Sequence, residues 1–510
     1  QGWTDIHVYD RLPPPPSPDD ETVWGDTARF YLIGLGGRGQ KALKELRCWD
    51  QVDRYCNTVV GRMDWAPGAS AQEGVERIFT DRPYLTKVIA RDRLVGVLEG
   101  IVRTEYASHV TLHHNAACTD VTWLSDDQVE LTIQPTSSSD AATATKSRPA
   151  LLIGADGAAR TVADCMEDAG KAKRGRLAWL PWSNRFKVTR YPDDNQRVYK
   201  TIPMKFPKGW RGDLNYSART KDGRINIDAL PASRDNDYCA VLLLLAQDPL
   251  AAADTNPEEL RGVLDKSLPM FSEFVDDATL KAVAAKPVST LPFFRYVGPQ
   301  LHLGKSTLLI GDAVHTVKPY FGLGANSALE DVVQFSACLD QQADVESVGG
   351  AGVGAAIAQF SKERAGEAKA LVQISRDFDR PGALGFLSFI LPLILDGMFN
   401  GMAPKIFSPN SISMLQRPDL SFQKVREIKR RDRLLQVTAM AGALGATKLV
   451  LDVTLTFVPS RVTLAAFGVT AAILGVRKMG FFMTPNTSPA DVIARTRQPI
   501  ANNEDFLTKK

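Results

Sequence analysis

The sequence lacks the features that mark several large classes of protein. Its six cysteines are scattered over 510 residues without a CxxC pair, so a zinc site or a disulfide framework has little support and a reducing compartment fits best. The formal net charge is only +3, and no basic stripe is interleaved with aromatic residues, so we do not expect nucleic acid as a partner. A GxSxG motif is also lacking, which leaves hydrolase functions without positive support. We predict no metal site.

The composition is that of a large folded protein. With 44% apolar and 23% charged residues, a chain of 510 residues can bury a large core, and it is long enough for two closely joined domains plus an extension. We predict boundaries near residues 173, 298 and 380. The segments 1–173 and 299–380 then form one domain, 174–298 a second domain rich in alternating strands, and 381–510 a helical region.

One stretch, Leu308–Asp331, combines a strand, an acidic turn, a glycine-rich loop and a helix start. Its first apolar residues predict a buried parallel strand, and Asp312 at the carboxyl end of that strand can accept hydrogen bonds from ribityl or ribose hydroxyls. Pro319 fixes one backbone angle, while Gly322 and Gly324 let the main chain approach a flat ring or a phosphate. The pattern favours a cofactor-binding loop, and its alternative is an ordinary strand-to-helix turn.

The same stretch resembles the second flavin-binding signature of the FAD-dependent aromatic hydroxylases, which reads GDAAH, a proline, then GQG and an asparagine. The matched positions are Gly311, Asp312, Ala313, His315, Pro319, Gly322, Gly324, Asn326, Glu330 and Asp331. Leu323 stands in place of the usual glutamine. The resemblance implies an FAD site that includes Asp312, Pro319, Gly322, Leu323, Gly324, Ala325 and Asn326, and it places Asn326 near the substrate as well.

The first residues predict a short strand, Ile6–Tyr9, that ends on Asp10. In a dinucleotide-binding fold, an acidic residue at the end of the second strand holds the adenosine ribose, and a GxGxxG turn about 20 residues earlier carries the pyrophosphate. Asp10 is a candidate for the ribose role. We expect that the first strand and its glycine turn are missing from this sequence or have been lost by the protein.

A GxGxxG pattern does occur at Gly34–Gly39, after the apolar residues Phe30–Ile33, and it could be a dinucleotide turn. The alternative is that Arg29–Leu43, RFYLIGLGGRGQKAL, resembles a segment of the kynurenine 3-monooxygenase branch of the hydroxylases. We favour this alternative, which leaves Asp10 its role and makes the glycines incidental. It implies that Arg29 and Arg38 lie near the cofactor.

Three further motifs resemble the same family. Arg62, in the sequence GRM, stands where relatives carry the arginine that holds a substrate carboxylate, although a surface arginine is an equal alternative. Arg91 matches an arginine that contacts the flavin dinucleotide. Asp156 and Gly157 match the DG signature, but Arg160 and Ala163 stand where relatives have serine and arginine. The resemblance implies FAD as cofactor and NADPH or NADH as reductant, and the altered motif weighs against the reductant.

These resemblances imply an α/β fold in which a Rossmann-like FAD-binding domain, apparently without its first part, is interleaved with a mixed-sheet substrate domain, followed by a helical apolar extension. The implied activity is FAD-dependent hydroxylation, through a flavin hydroperoxide, of a small aromatic or other electron-rich substrate. The alternative is a degenerate flavoprotein-like subunit with a structural or assembly role in a membrane complex. The altered DG motif and the segment Ser375–Arg380, which lacks the asparagine–tyrosine pair of relatives, motivate it.

The carboxyl-terminal region predicts contact with a membrane or with a membrane-embedded protein complex. Lys424–Arg433 holds six basic residues against two acids, and apolar runs follow it. The cleanest run, Val462–Val476, would span about 22 Å as a helix, short of the roughly 30 Å hydrocarbon core. The alternative is that the apolar runs form a helical hairpin buried in the core of a soluble protein. By resemblance, the expected location is the mitochondrial outer membrane, with a plastid membrane as the alternative.

Overall fold

The computed structural model describes residues 3–24, 31–79, 83–137, 143–158, 160–172, 186–192, 195–252, 255–343 and 351–457. Arg29 and the apolar run Val462–Val476 lie outside the described residues.

The strands, in chain order, are β1 Ile6–Tyr9, β2 Leu32–Leu35, β3 Asn57–Val59, β4 Gly61–Asp64, β5 Val75–Ile78, β6 Thr86–Ala90, β7 Val110–His113, β8 Ala116–Trp123, β9 Val129–Pro135, β10 Thr145–Ser147, β11 Leu152–Gly154, β12 Val188–Arg190, β13 Arg197–Lys205, β14 Leu214–Arg219, β15 Ile225–Pro231, β16 Asp237–Leu245, β17 Ser289–Thr290, β18 Arg295–Val297, β19 His302–Leu303, β20 Thr307–Leu309 and β21 His315–Thr316.

The helices are α1 Glu21–Trp24, α2 Gly37–Glu45, α3 Trp49–Asp53, α4 Arg91–Glu105, α5 Thr161–Ala172, α6 Pro257–Ser267, α7 Pro269–Ser272, α8 Asp277–Ala285, α9 Leu323–Ala343, α10 Ala351–Phe378, α11 Gly382–Gly385, α12 Leu391–Met402, α13 Ser411–Leu415 and α14 Phe422–Phe457. A π-helical stretch, Phe386–Ile390, joins α11 to α12.

The largest sheet contains seven strands in the order β17-β13-β16-β15-β14-β4-β5. Alternate residues are buried along β15, as expected for a strand with one face on a core. Apolar residues of α6, α7 and α8 belong to the same core as these strands. The sheet also takes in β4 and β5 from the segment 1–173, since β4 pairs in parallel with β14. The substrate sheet is thus built from two separate parts of the chain, and the exact domain boundaries stay a prediction.

A second core lies around the parallel pair β11 and β20, in which Gly154 is opposite Leu309. Residues from α5, α9 and α10 pack into this core. Because neighbouring parallel strands end at the same edge of a sheet, the turn with Asp156 and the turn with Asp312 emerge side by side. This parallel pair and the separate seven-stranded mixed sheet confirm the predicted α/β class, in which an FAD-binding domain is interleaved with a substrate domain.

The short strand predicted at the start of the chain is present as β1. It pairs in parallel with β7, and the Asp10 amide that follows it donates to the His113 carbonyl at 2.9 Å. The Asp10 carboxylate is exposed and accepts the amide of Leu12 at 2.9 Å. Asp10 therefore ends a parallel strand as predicted, and its contact with a ribose stays a prediction.

The carboxyl-terminal helices are joined by charges. Asp396 of α12 is fully buried and forms ion pairs with Lys429 at 3.1 Å and Arg433 at 2.9 Å. Arg431 pairs with the equally buried Asp432 at 2.9 Å. Four of the six basic residues of Lys424–Arg433 are thus paired with carboxylates of the protein, since Lys424 also lies 3.0 Å from Glu427. Lys429 and Arg433, through Asp396, hold α14 against α12, and contact of this cluster with a membrane stays a prediction.

Among the described residues, the helix Gly382–Met402 is long and apolar enough to cross a membrane, with a mean hydropathy of 1.8 and 17% of its most apolar window buried. By length and composition alone, this is weak evidence for membrane association. The helix lies upstream of Lys424–Arg433 and of the apolar runs that follow it, for which the sequence predicted membrane contact.

Candidate functional site

The end of β20 leads into a tight turn that carries Asp312. Gly311 has a φ of +62°, a left-handed conformation that glycine adopts at little cost. The Asp312 carboxylate faces the start of α9, because a Cβ atom placed on Gly324 would lie 3.5 Å from its Oδ1. Burial raises the pKa of Asp312. The turn therefore presents a carboxylate directly beside the glycine loop.

Behind this turn lies a buried network of charges to which the sequence analysis gave no role. His315 Nε2 lies 2.8 Å from one oxygen of Asp331, and Arg364 Nε donates to the other at 2.8 Å. Burial alone would lower the pKa of His315, but the charge and hydrogen bond of Asp331 raise it. Asp331 also accepts the Gly311 amide at 2.9 Å. The network therefore fixes the turn that carries Asp312.

Asn326 joins the glycine loop to the start of α2. Its Oδ1 accepts the amides of Gly36 and Gly39 at 2.9 and 3.1 Å, and its Nδ2 donates to the carbonyls of Gly34, at 2.8 Å, and Gly322. With 2% exposure, the side chain meets its full hydrogen-bonding capacity within the protein. Two of the amides at the start of α2, those of Gly36 and Gly39, are thus bonded to Asn326, whereas a dinucleotide turn would offer such amides to a pyrophosphate.

The glycines of Gly34–Gly39 are not incidental, and that expectation was wrong. A Cβ atom on Gly37 would lie 2.8 Å from the Tyr84 ring, and one on Gly39 would collide with Asn326. The preceding strand β2 runs antiparallel to β6, whereas a dinucleotide turn belongs to a parallel βαβ unit. Gly39 therefore allows α2 to pack closely on α9, and Gly37 allows it to pack on Tyr84, which agrees with our preference against a pyrophosphate turn.

Arg38, predicted to lie near the cofactor, is held by protein groups. Its Nη1 donates to Glu330 at 2.9 Å, its Nε donates to the Leu415 carbonyl at 2.8 Å, and its guanidinium lies 4.2 Å from the centre of the Phe422 ring. Only 3% of Arg38 is exposed. The side chain therefore attaches the carboxyl-terminal helices to α9, and a direct contact with flavin stays a prediction.

Arg91, the first residue of α4, lies in the neighbourhood of Asp312. Its amide donates to the Tyr31 carbonyl at 2.9 Å, and its side chain pairs with Asp92 at 2.8 Å. The pKa of the Tyr31 phenol is raised by burial and by the charges of Tyr199 and Asp312, and the charge of Arg91 opposes this shift. Tyr199 belongs to β13, so these residues meet where the glycine loop faces the substrate sheet.

The other predicted positions lie along the same loop. Pro319 begins a 3₁₀ turn that ends at Gly322, whose φ of +61° is again left-handed. Leu323 and Ala325 open α9, and Leu323 is 2% exposed in an apolar cluster. The leucine in place of the family's glutamine therefore serves packing. Contacts of these residues with FAD stay predictions.

The DG turn has unused polar groups. Asp156 Oδ2 accepts the Val162 amide at 2.8 Å, while its Oδ1 is buried without a hydrogen-bond partner among the residues that the structure describes. A Cβ atom on Gly157, where φ is +64°, would meet no described residue within 4 Å. An unpaired acceptor and open space, at the end of the strand that pairs with β20, fit a ligand that carries hydroxyl groups. These residues therefore fit the ribose and ribityl parts of FAD.

Comparisons with known proteins agree with this geometry. A family model described as an FAD binding domain matches residues 113–375, just over half of the chain. Kynurenine 3-monooxygenase from Salinispora arenicola is 25% identical over 347 residues, which cover 67% of this chain and 68% of that protein. Violacein synthase from Chromobacterium violaceum is 24% identical over 288 residues, covering 56% of this chain and 61% of that protein.

Solved structures share the fold. The tetrameric form of 2-methyl-3-hydroxypyridine-5-carboxylic acid oxygenase is 16% identical, with a TM-score of 0.51 over 76% of this chain and 96% of that chain. Pseudomonas aeruginosa PqsL in complex with 2-aminobenzoylacetate is 19% identical, with a TM-score of 0.50 over 76% of this chain and 92% of that chain.

The chain therefore belongs to the FAD-binding domain family of flavoproteins. Its relatives place it among the FAD-dependent aromatic monooxygenases, and FAD is the cofactor of its binding domain. Both the predicted family and the predicted FAD are confirmed.

Proposed function

We propose that this protein is an FAD-dependent monooxygenase that hydroxylates a small aromatic or other electron-rich molecule, in the manner of kynurenine 3-monooxygenase. The observation that carries the proposal is the Asp312 carboxylate at the end of β20, beside the glycine loop. Asp312 and Asp156 would hold hydroxyl groups of the FAD, and Gly322 and Gly324 would let the main chain approach its ring. The bound flavin would supply the oxygen chemistry, with NADPH or NADH as the proposed reductant.

Aromatic rings next to the glycine loop suit an aromatic substrate. Phe321, in the loop itself, meets Phe378 edge-on at 5.1 Å between ring centres, and Phe389 lies 4.8 Å from Phe378. Rings at these separations attract one another beyond their burial and keep water away. In catalysis, these three phenylalanines would exclude water and orient the substrate ring.

A buried ion pair holds the loop in place. Lys318, next to Pro319, donates to Asp379 Oδ2 at 2.7 Å and to the Asn195 carbonyl at 2.7 Å. The side chains of Lys318 and Asp379 are 0% and 5% exposed. Since Asn195 leads into β13, the pair joins the glycine loop to the substrate sheet and to the end of α10. This places Asp379 of the segment Ser375–Arg380 at the junction and gives that segment a structural task.

Arg62 remains our candidate for a substrate carboxylate. Its Nε pairs with Asp64 at 2.6 Å, and 41% of its side chain is exposed. A substrate carboxylate would have to bind the remaining N–H groups, because Asp64 already occupies one. Asn326, the other proposed substrate residue, has no free hydrogen-bonding group as it stands, so its role would be to hold the loop.

Absorbance of the purified full-length protein tests the proposal, since bound flavin gives paired near-ultraviolet and blue bands. We expect bound FAD. We also expect oxidation of NADPH or NADH that depends on an added aromatic substrate, with a product that carries one more oxygen atom. The rival is a non-enzymatic subunit, favoured by the use of Arg38 and Asn326 in internal contacts. Tightly folded protein without flavin bands would support the rival.

We also propose that the protein attaches to a membrane or to a membrane-embedded partner. The supporting features are exposed apolar side chains of Gly382–Met402, such as Leu384, Leu387 and Ile394, which are 61%, 58% and 50% exposed. Leu434, at 68%, extends the apolar surface onto α14. Asp396 would not oppose this placement because its charge is paired. An intracellular organelle membrane is the proposed location.

A further inference from the structure

One face of the helix Gly382–Met402 lies against the glycine loop. Phe389, in the π-helical stretch Phe386–Ile390, lies 4.8 Å from Phe378 and 6.0 Å from Phe321, measured between ring centres. Phe321 belongs to the 3₁₀ turn of the glycine loop. The helix that is apolar enough to enter a membrane therefore also contributes a ring to the wall of the proposed flavin site.

The π-helical stretch is fixed to the end of α10. The Ser388 hydroxyl donates to the Asp377 carbonyl at 2.6 Å, and Phe378 is the next residue along α10. π-Helical turns are rare and occur frequently at functional sites. In this protein the hydrogen bond holds the ring of Phe389, the residue after Ser388, against the ring of Phe378.

The other face of the same stretch is exposed. Phe386, Leu387 and Ile390 are 49%, 58% and 39% exposed, and all three lie within three residues of Phe389. An α-helix with its side chains is about 10–12 Å across. A molecule at the exposed face is therefore separated from the aromatic wall of the site by about one helix diameter.

The three rings of the wall are available to a further aromatic group. Phe321, Phe378 and Phe389 are only partly buried, whereas core phenylalanines such as Phe271 and Phe360 are 0% exposed. Aromatic rings attract one another in edge-to-face contacts beyond the area that they bury. The surface that these three rings leave uncovered therefore suits an apolar aromatic molecule.

The glycine loop also packs on the helices that follow Gly382–Met402. Val317 and Leu323 belong to the same apolar cluster as Leu415 of α13 and Phe422 of α14. The loop of the proposed flavin site and the exposed apolar surface of the carboxyl-terminal region are thus two sides of one packed unit.

We propose that the substrate is an aromatic molecule with an apolar substituent that dissolves in lipid, and that it enters the site between the π-helical stretch and the glycine loop. This inference rests on the proposed function and names the class of its substrate. Transfer of apolar surface from lipid to water is unfavourable. An entrance one helix away from a membrane lets such a molecule reach the flavin without crossing water, with its substituent along Phe389 and its ring towards the loop.

Phenols with a para-alkyl chain, from para-ethylphenol to para-octylphenol, are the probes. The full-length protein is bound to phosphatidylcholine vesicles, and the oxidation of NADPH that depends on each phenol gives KM and kcat. A photoreactive derivative of para-octylphenol is crosslinked in the same vesicles, and the labelled peptides are mapped by mass spectrometry. Phe389→Leu is compared with Phe399→Leu, the same change at a buried ring of α12 that lies 4.8 Å from Phe407.

We expect KM to fall at least tenfold from para-ethylphenol to para-octylphenol in wild-type protein and in Phe399→Leu. In Phe389→Leu, KM for para-octylphenol should rise at least fivefold, while kcat for para-ethylphenol changes little. The label should lie on the peptides that hold Phe321, Phe378 or Phe389, and excess para-octylphenol should remove it.

The outcomes separate this inference from the proposed function. Labelling of these peptides in a protein that holds no flavin and oxidises no phenol would refute the proposed function while supporting the entrance. Label on other peptides of a flavin-containing protein, with the same dependence of KM on chain length in Phe389→Leu as in wild type, would overturn the entrance and leave the proposed function standing. If the phenols are not oxidised, the position of the label alone decides.

Discussion

Removing the side chain of Asn326 should loosen the contact between the glycine loop and α2. The replacement Asn326→Ala deletes four hydrogen bonds, two accepted from the Gly36 and Gly39 amides and two donated to the Gly34 and Gly322 carbonyls. At about 1 kcal/mol for each net bond, the loss is about 4 kcal/mol if nothing replaces them. If water reaches half of the freed groups, the loss is about 2 kcal/mol. We therefore expect a decrease of roughly 2–4 kcal/mol in the free energy of unfolding.

A second variant separates the two halves of this contact. Asn326→Asp keeps the acceptor for the Gly36 and Gly39 amides and places a negative charge at the start of α2, which is favourable by about 0.3–1 kcal/mol. Its second carboxylate oxygen faces the Gly34 and Gly322 carbonyls in place of the donating Nδ2, so we expect a destabilisation at least as large as that of Asn326→Ala, although the two amides keep their acceptor. Asn400, whose side chain makes a single bond to the Phe407 carbonyl, supplies the matched control. Asn400→Ala should cost about 1 kcal/mol.

Denaturant unfolding followed by tryptophan fluorescence gives the free energies, and hydrogen exchange of the peptide that contains Gly36 and Gly39 reports the local contact. Faster exchange there in Asn326→Ala, but not in Asn326→Asp, is the specific expectation. A destabilisation below about 0.5 kcal/mol with unchanged protection of both amides would show that other groups can satisfy them, and the assigned role of Asn326 would then be refuted.

Three further results are expected. Arg62→Met should weaken the binding of an acidic substrate by about 1.5 kcal/mol, the lower end for hydrogen bonds to charged groups, because Asp64 already shares the guanidinium. Arg77→Met, on the adjacent strand, should leave binding unchanged, and equal binding in the two variants would dismiss the role of Arg62. The pKa of His315 is raised on folding, so protonated His315 stabilises the fold fully below about pH 6.5, and this contribution is lost as the pH rises through the folded-state pKa. The thermal midpoint of the wild-type protein should therefore fall as the pH rises over that window, and the midpoint of His315→Gln should change less. Replacing Leu387 and Ile394 by glutamine should move the protein from the membrane fraction to the soluble fraction without loss of fold, and an unchanged distribution would exclude this helix as the attachment site.

The sequence determined those features that depend on residues close together along the chain. An apolar segment followed by Gly311 and Asp312 could be interpreted as a strand with an acceptor at its end, because side-chain burial and turn geometry are local properties. The spacing from Asp312 to Asn326 gave the family for the same reason. The alternating strands of the substrate sheet, such as β15, were also visible, since a period of two needs only neighbouring residues.

The tertiary structure decided which side chains those residues contact. Arg364 reaches Asp331 from 33 positions away, and Asn326 reaches Gly36 from 290 positions away. No local pattern specifies such partners. The same is true of Arg38, which donates to Glu330 and to the Leu415 carbonyl, 292 and 377 positions away. Hydrogen bonds and ion pairs act over a few ångströms in space, whatever the separation along the chain, and so the roles of these polar residues follow from the fold that brings them together.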